Sequence, residues 1–148
     1  MQIKKELLNE AIENRLIEMS YLWQEENITH GYRKNYHEDL ENETFYLAYD
    51  NDKIVGYLFG HKERSKEKNS IIDKDVDYFE IEEIYVLKEY RNQKIGQQLF
   101  DYFKKDIEKD VDYIFLSTAN KNYQASLHFY LDILKLDFWS ARLYSKIK

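Results

Sequence analysis

The chain has 148 residues, of which 34% are charged and 43% hydrophobic, and its formal net charge is −6. This composition fits one folded domain over residues 1–148, and the acidic balance argues against nucleic acid as the main partner. Cysteine is absent, which excludes disulfides and thiolate chemistry. No apolar run of about 20 residues is available to cross a membrane, and no signal-peptide pattern opens the chain, so a cytoplasmic location is expected.

The N-terminal part predicts a short strand at 1–4 and then an amphipathic helix. Apolar residues recur every three or four positions, at Leu8, Ile12, Leu16, Met19 and Trp23. The polar stretch 27–43 is expected to hold a second short helix.

Two strands, 44–49 and 53–61, are predicted to form a hairpin around Asp50-Asn51-Asp52, since Asn and Asp favour tight turns. Residues 62–77 are charged and are predicted to form an exposed loop. The next strand, 78–87, breaks its alternation. If Phe79, Ile81, Ile84 and Val86 all lie on one face, the strand must contain a β-bulge near Glu82-Glu83. The alternative, which the pattern supports equally, is a regular strand buried on both faces apart from Glu83.

The C-terminal part predicts helix, strand, helix and strand after a polar connection. The first helix follows from the spacing of Ile95, Leu99, Phe103 and Ile107. An apolar central strand at 111–117, covered on both sides, comes next. Asn120 to Asn122 offer caps for a second helix with Tyr123, Leu127, Tyr130 and Leu134 on one face. A last strand follows from the alternation of Trp139, Ala141, Leu143 and Ile147. The order indicates a mixed α/β fold.

The junction between strand 78–87 and the following helix has the features of an anion site. The first turn of a helix leaves backbone N–H groups unpaired at the positive end of the helix dipole, which suits a phosphate or pyrophosphate. Arg91 and Lys94 add positive charge there, and Gly96 would let a ligand approach the backbone.

Two motifs of this half resemble the GNAT superfamily of acyl-CoA-dependent N-acyltransferases. In that family a strand ends in Val, and five residues later Arg/Gln-x-x-Gly-x-Gly/Ala opens a helix. Here Val86 is followed by Glu89-Tyr90 and then by Arg91-Asn92-Gln93-Lys94-Ile95-Gly96. The second motif reads Asn122, Ala125, Phe129-Tyr130 and Leu134-Lys135-Leu136.

Four departures from the family pattern are visible. Lys94 takes the place of the first glycine. Tyr130 lies one residue later than the commonest spacing, so Phe129 competes for its place. Lys135 or Asp137 stands where a glycine is usual, and few residues follow Leu136, so the family's final pair of strands is expected to shorten to one.

The resemblance implies a mostly antiparallel twisted sheet with splayed central strands, flanked by helices. It implies an enzyme that moves the acetyl group of acetyl-CoA directly to a primary amine of a small molecule or peptide, without a metal. The alternative is a non-catalytic acyl-CoA-binding or sensory domain of the same fold. A protein-interaction domain is a third interpretation, suggested by the 14 tyrosines. Dimers are common in the family, so a homodimer is one expectation.

The resemblance also indicates how the cofactor would be held. The splayed strands 78–87 and 111–117 would admit the pantetheine arm. Backbone amides near Tyr85, Val86 and Leu87 would bind it, and one of them would stabilise the oxyanion developing on the thioester. With Arg91, the pyrophosphate would be held by amides of Asn92, Gln93, Lys94, Ile95, Gly96 and Gln97. Asn122 would bind pantetheine or cap its helix, and Ser126 would meet the phosphate side of the cofactor.

Acetyl transfer needs a base for the amine and an acid for the leaving sulfur. The resemblance implies a base six residues before Val86, as in histone-type members of the family, so Glu80 is the first candidate. Glu82, acting directly or through water, is the second. Solvated strand-edge carboxylates are the alternative for both. Tyr130 is the candidate acid, with an ordinary core aromatic as its alternative. No metal-ligand spacing relates the four histidines, His30, His37, His61 and His128.

Overall fold

In the computed structural model, which describes residues 1–148, five strands form one sheet in chain order. Strands β1 to β4 pair antiparallel, and β5 pairs parallel to β4. Their bounds are β1 Gln2–Glu6, β2 Thr44–Asp50, β3 Lys53–Arg64, β4 Asp77–Val86 and β5 Tyr113–Phe115. This mixed, mostly antiparallel sheet confirms the expected fold class.

The helices are α1 (Glu10–Glu26), α2 (His37–Leu40), α3 (Ile95–Ile107) and α4 (Tyr123–Leu127). A 3₁₀ turn, Lys88–Tyr90, precedes α3, and a π-helical turn, His128–Ile133, continues α4. The side chain of Asn9 caps α1 by accepting from the N–H of Ile12 at 2.8 Å, so Leu8 lies before the helix rather than on it. No helix combines the length and the apolarity needed to cross a bilayer.

The core lies on both faces of the sheet, against α1 on one side and α3 on the other. On the α3 face, Phe103 packs edge-on against Tyr46 and Phe79, with ring centroids 5.4 and 4.8 Å away. On the α1 face, Trp23 stacks on Tyr85 at 5.0 Å. The regular apolar spacing of both helices in the sequence is what supplies these two layers.

Strand β4 contains the β-bulge, which confirms the first of the two interpretations of its pattern. Phe59 pairs with Glu83 and Gly60 pairs with Ile81, which leaves Glu82 without a partner in β3. Phe79, Ile81, Ile84 and Val86 therefore share the α3 face, while Glu83 turns to the α1 face, where Tyr57 bonds to it.

The C-terminal expectations are wrong in three respects. Strand β5 has three residues rather than the seven of 111–117, and it is the edge strand instead of a central one. Residues 137–148 form no strand, and Leu143, Tyr144 and Ile147 are at least 84% exposed. The predicted helix over Tyr123 to Leu134 is a short α-helix followed by the π turn. Pairing with β4 ends at Phe115, so β5 offers a further strand an edge of only three residues.

The loop predicted over 62–77 is shorter and less exposed than expected. Strand β3 continues to Arg64, which pairs with Asp77. Ser65 is buried, and its hydroxyl is satisfied there. It donates to the carbonyl of Asp73 at 2.7 Å and accepts from the N–H of Val76 at 2.8 Å. Ile72 is also buried, at 4% exposure.

Candidate active site

The divergence of β4 and β5 opens a cleft of about 460 Å³, named the β4–β5 cleft below. Pairing between the two strands ends at Glu80 and Phe115, and the backbones separate beyond them. The walls come from β4 and from the segment after β5, and the ends come from α1, the loop after α1 and the π turn. Its lining includes Trp23, Tyr32, Glu83, Ile84, Val86, Arg91, Thr118, Asn120, Ser126 and Tyr130.

Only part of the expected β4 backbone faces this cleft. The N–H of Leu87 donates to the carbonyl of Val55 in β3, at 2.9 Å. Because antiparallel pairs alternate in direction, the amide of Tyr85 is also turned to β3, whereas Ile84 and Val86 point their amides to the cleft. Of the three predicted amides, those of Tyr85 and Leu87 are thus unsuited to bind a ligand, and that of Val86 fits.

The first turn of α3 presents free backbone donors. The N–H of Gln98 bonds to the carbonyl of Lys94 at 3.0 Å, so the N–H groups of Ile95, Gly96 and Gln97 have no partner within the helix. No side chain caps this end. Together with the helix dipole, these donors make the turn suitable for an anion.

The loop before α3 contains two left-handed residues. Asn92 and Lys94 both have φ of 64°, and both are exposed, as is Gln93. Asn tolerates this conformation, but a lysine is strained there by about 1–2 kcal/mol. The φ angle gives a physical reason for the glycine that the family places at the position of Lys94.

Arg91 holds the loop against the end of α1 instead of pointing freely into the cleft. Its guanidinium bonds both oxygens of Glu26 at 2.7 Å, and its Nε donates to the carbonyl of Val86 at 3.0 Å. The hydroxyl of Tyr85 donates to the same carboxylate at 2.6 Å. Burial opposes the effect, but the hydrogen bonds from Arg91 and Tyr85 lower the pKa of Glu26 below its usual value.

Gly96 of the first motif packs against Phe129 of the second, so its lack of a side chain makes room for that ring rather than for a ligand. A Cβ at this position would lie 3.1 Å from Cζ of Phe129. Phe129 therefore lies against α3, and Tyr130 lines the cleft. A π turn follows at this point, in which the N–H of Leu134 bonds to the carbonyl of Phe129 at 2.9 Å, five residues back.

Tyr130 has a hydroxyl without a hydrogen-bond partner in the protein. Burial raises its pKa to about 12, so the phenol stays protonated at neutral pH and remains a donor. Ser126 also lines the cleft, and its hydroxyl lies 2.9 Å from that of Thr118. Asn122 lies outside the lining and caps α4, accepting from the N–H of Ala125 at 3.2 Å.

The carboxylate held inside the cleft is Glu83, which sequence reasoning did not select. Its Oε1 accepts from the hydroxyls of Tyr32 and Tyr57 at 3.0 and 2.8 Å, and from Nδ2 of Asn35 at 3.0 Å. No protein group donates to Oε2. Burial raises the pKa of Glu83 to about 7 in spite of these three hydrogen bonds, which lower it.

The two carboxylates predicted from the sequence are placed differently. Glu80 is not part of the lining, and it pairs with His61 in β3 and with Phe115 in β5. Burial and the charge of Glu82 raise the pKa of Glu80. Glu82 is exposed at the bulge, lines the cleft and lies 3.8 Å from Nδ1 of His61. The bulge was the available sequence signal for Glu83, because it turns the residue after Glu82 to the α1 face.

Comparisons with known proteins agree with this geometry. A family model described as acetyltransferase (GNAT) family matches residues 6–134. No curated protein sequence matches the chain.

Solved structures with the same fold include an aminoglycoside acetyltransferase, meta-AAC0020, from an uncultured soil metagenomic sample, at 19% identity and a TM-score of 0.69, covering 99% of this chain and 96% of that one. The aminoglycoside N-acetyltransferase AAC(6')-Iy in complex with CoA has 13% identity, a TM-score of 0.65 and 99% coverage of both chains. A ribosomal-protein-alanine N-acetyltransferase from Brucella melitensis biovar Abortus 2308 has 18% identity, a TM-score of 0.66, and coverage of 99% and 100%.

Proposed function

Because the chain belongs to the GNAT acetyltransferase family, we propose that it transfers the acetyl group of acetyl-CoA directly to a primary amine, in the cytoplasm. The CoA complex of a structural relative supports a CoA carrier. The observation that carries the proposal is the lining of the β4–β5 cleft, which includes a half-buried carboxylate, a half-buried tyrosine with an unpaired hydroxyl and a free strand amide. The unpaired first turn of α3 follows β4 in the chain after the 3₁₀ turn and a short loop.

The residues present fit a CoA thioester. The unpaired N–H groups of Ile95, Gly96 and Gln97 would hold the pyrophosphate, and the charge of Lys94 would add to them. The cleft-facing amide of Ile84 would bind the pantetheine arm as an added strand does. Acetyl-CoA supplies the activated acetyl group when bound. Arg91 keeps the loop in place through Glu26 and is a positioning residue in this proposal.

Glu83 is the proposed general base. Its Oε1 is fixed by three donors, so Oε2 is left to accept the proton that an alkylammonium must lose before its nitrogen can attack. A pKa of about 7 suits a base that is ionised for part of the time at neutral pH and is regenerated easily. These features favour catalysis over a purely sensory CoA-binding domain, which has no use for a half-buried carboxylate with one oxygen left free.

Tyr130 is the proposed general acid. Its hydroxyl is unpaired and stays protonated at neutral pH, so it can donate to the sulfur as the thioester bond breaks. The amide of Val86 faces the same cleft and would donate to the carbonyl oxygen of the acetyl group.

The names of the structural relatives point to two classes of acceptor amine. Two structural relatives act on aminoglycosides and a third on ribosomal-protein alanine, by their names. The proposed acceptor of this chain is therefore a primary amine of either a small molecule or a peptide N-terminus.

The proposal is tested by comparing Glu83→Gln with Glu80→Gln. Acetyl-CoA binding is measured by calorimetry, and transfer by thiol release over a panel of amines. We expect Glu83→Gln to lower kcat by about 10²- to 10⁴-fold with acetyl-CoA affinity unchanged, because only the base is lost. Glu80→Gln should retain most activity. Loss of activity in Glu80→Gln alone would reject Glu83 as the base, and absence of acetyl-CoA binding by the unaltered protein would reject the whole proposal.

A further inference from the structure

Ser20 is a polar residue on the apolar face of α1, among the buried residues Ile12, Leu16 and Met19. It is 0% exposed and does not line the β4–β5 cleft. Its hydroxyl donates to the carbonyl of Ile17 at 2.8 Å, one turn back in the same helix. Alanine would suit a buried helical position at least as well, so neither packing nor helix propensity accounts for a hydroxyl here.

The hydroxyl of Ser20 also accepts a hydrogen bond from the loop after α1. The backbone N–H of Asn35 donates to it at 2.8 Å, and Asn35 is itself buried, so this N–H needs a partner within the protein. The side chain of the same asparagine donates from Nδ2 to Oε1 of Glu83 at 3.0 Å. Two hydrogen bonds of one residue therefore link the middle of α1 to the proposed base.

The three donors to Oε1 of Glu83 are supported in different ways. Tyr57 lies within β3, and the ring of Tyr32 stacks on an indole of α1 with centroids 3.9 Å apart. Asn35 belongs to neither a strand nor a helix, and its backbone N–H is held by Ser20. The position of this donor therefore depends on the serine hydroxyl.

We propose that Ser20 is a positioning residue for acetyl transfer, which acts through Asn35 to hold Oε1 of Glu83 and so keeps Oε2 directed to the acceptor amine. This inference rests on the proposed function. Without the hydroxyl, the Asn35 side chain would lose its fixed place, and the carboxylate would turn more freely. Donation to the charged carboxylate would weaken as well, which would raise the pKa of Glu83 above its present value of about 7.

The other titratable groups that face the Glu83 carboxylate keep their charge near neutral pH. Burial raises the pKa values of Tyr32 and Tyr57, so both phenols stay protonated. The charge of Asp39 in α2 raises the pKa of Glu83, and the hydrogen bond from Arg33 lowers the pKa of Asp39 itself. The histidine of β3 bonds to other carboxylates. The acid limb of a pH–rate profile therefore reports the ionisation of Glu83.

The test measures the pH dependence of kcat in the unaltered protein, in Ser20→Ala and in Asn35→Leu. Acetyl-CoA is the donor, and the acceptor probe is n-butylamine or alaninamide, whichever the unaltered protein acetylates faster. We expect Ser20→Ala to lower kcat by about threefold to tenfold with the KM for acetyl-CoA unchanged, because the base is misdirected while the cofactor contacts stay. The acid limb should move up by about half a pH unit in Ser20→Ala and by about one unit in Asn35→Leu, which lacks the donor altogether.

The matched control is Gln24→Ala. Gln24 also lies in α1 and also holds this loop, since its Oε1 accepts from the N–H of Lys34 at 2.8 Å, but neither residue bonds to Glu83. It should leave the acid limb in place. The double variant Ser20→Ala/Asn35→Leu should behave as Asn35→Leu does, because both changes break one chain of hydrogen bonds. An unmoved limb in Ser20→Ala, an equal movement in Gln24→Ala, or losses that multiply in the double variant would overturn the inference while leaving the acetyltransferase proposal intact.

Titration of the Glu83 carboxyl carbon by NMR, in isotope-labelled protein, gives a second readout that does not depend on turnover. We expect its midpoint to rise by about half a unit in Ser20→Ala and to stay in place in Gln24→Ala. An unchanged midpoint in Ser20→Ala overturns the inference even where kcat falls. If the unaltered protein neither binds acetyl-CoA nor acetylates a probe, the proposed function fails, and this midpoint alone decides whether Ser20 holds the carboxylate.

Discussion

At the scale of single residues, the environment of Glu83 combines burial with an uneven set of hydrogen bonds. Three donors reach Oε1, and the backbone bulge before the residue sets the direction of its side chain. Burial makes the charged form costly, and the three donors offset part of that cost. A carboxylate held this way exchanges its proton near neutrality without losing its orientation.

The raised pKa of Glu83 predicts a pH-dependent loss of stability. Its pKa rises from 4.5 in the unfolded chain to about 7 in the fold, so the folded state binds the proton more tightly. Stability should then fall as pH rises from about 4.5 to about 7, by about 2–3 kcal/mol in total. Gln at this position keeps an oxygen for the three donors and cannot ionise.

We therefore expect Glu83→Gln to unfold with a free energy about 2 kcal/mol higher than the unaltered protein at pH 8, and with an equal one at pH 4. Denaturant titrations at the two pH values measure this difference. Glu41→Gln, an exposed control, should show none. A gain at pH 4 that equals the gain at pH 8 would contradict ionisation as the cause.

The sequence offered the bulge as one of two equal interpretations, and it did not point to the carboxylate beside it. The apolar pattern of β4 requires an extra residue near Glu82, and this is a local signal. The selection of Glu83 depends instead on Tyr32 and Asn35, which come from the loop after α1, and on Tyr57 from β3. Such meetings of distant residues leave no periodicity in a single sequence, so spacing alone favoured Glu80.

At the scale of elements, the start of α3 joins a strained loop to an open helix end. Lys94 is the residue before the first helical position, its φ is 64°, and its side chain makes no capping bond. The N–H groups of the first turn of α3 therefore remain unpaired, next to a residue with a strained backbone. Such strain is common at ligand sites.

Replacement of Lys94 should reveal this strain. We expect Lys94→Gly to be about 0.5–1 kcal/mol more stable than Lys94→Ala, because glycine relieves the left-handed conformation although it adds freedom to the unfolded chain. The opposite order, with alanine more stable by about 1 kcal/mol, is expected at the exposed helical position Gln98. Chemical denaturation of the four variants checks both orders. Equal stability of the two Lys94 variants would show that the loop relaxes to another conformation.

Elements with strong periodicity were the ones that the sequence predicted well. The stripes of α1 and α3 and the hairpin of β2 and β3 depend on local spacing and turn residues, and the structure has all of them. The stretch 139–147 has the same alternation as a strand, yet it pairs with no strand of the sheet. Alternation fixes which face a strand would bury, but pairing partners decide whether the strand exists.

At the scale of the whole molecule, the C-terminal residues contribute little to the core. The buried apolar cluster ends at Leu134 along the chain. Beyond Leu136, the main anchor is Trp139, whose indole N–H donates to Ser70 at 2.8 Å and whose ring packs on Phe115 at 5.3 Å. The other apolar residues of this segment are exposed.

Truncation after Leu136 should therefore preserve the fold and lower the free energy of unfolding by about 1 kcal/mol, the value of the lost Trp139 contacts. Acetyl-CoA binding should be unchanged. Trp139→Ala in the full chain is the matched comparison, and it should produce nearly the same loss. A truncated protein that is unfolded or several kcal/mol weaker would show that the segment carries stabilising contacts beyond those of Trp139.

The placement of Phe129 and Tyr130 has a consequence for the recognition of related chains. The ring of Phe129 lies against Gly96, and the phenol one residue later lines the cleft. A search that demands a fixed interval would select Phe129 and reject such a chain as lacking its acid. Motif definitions that tolerate a one-residue gap at this point would retain it.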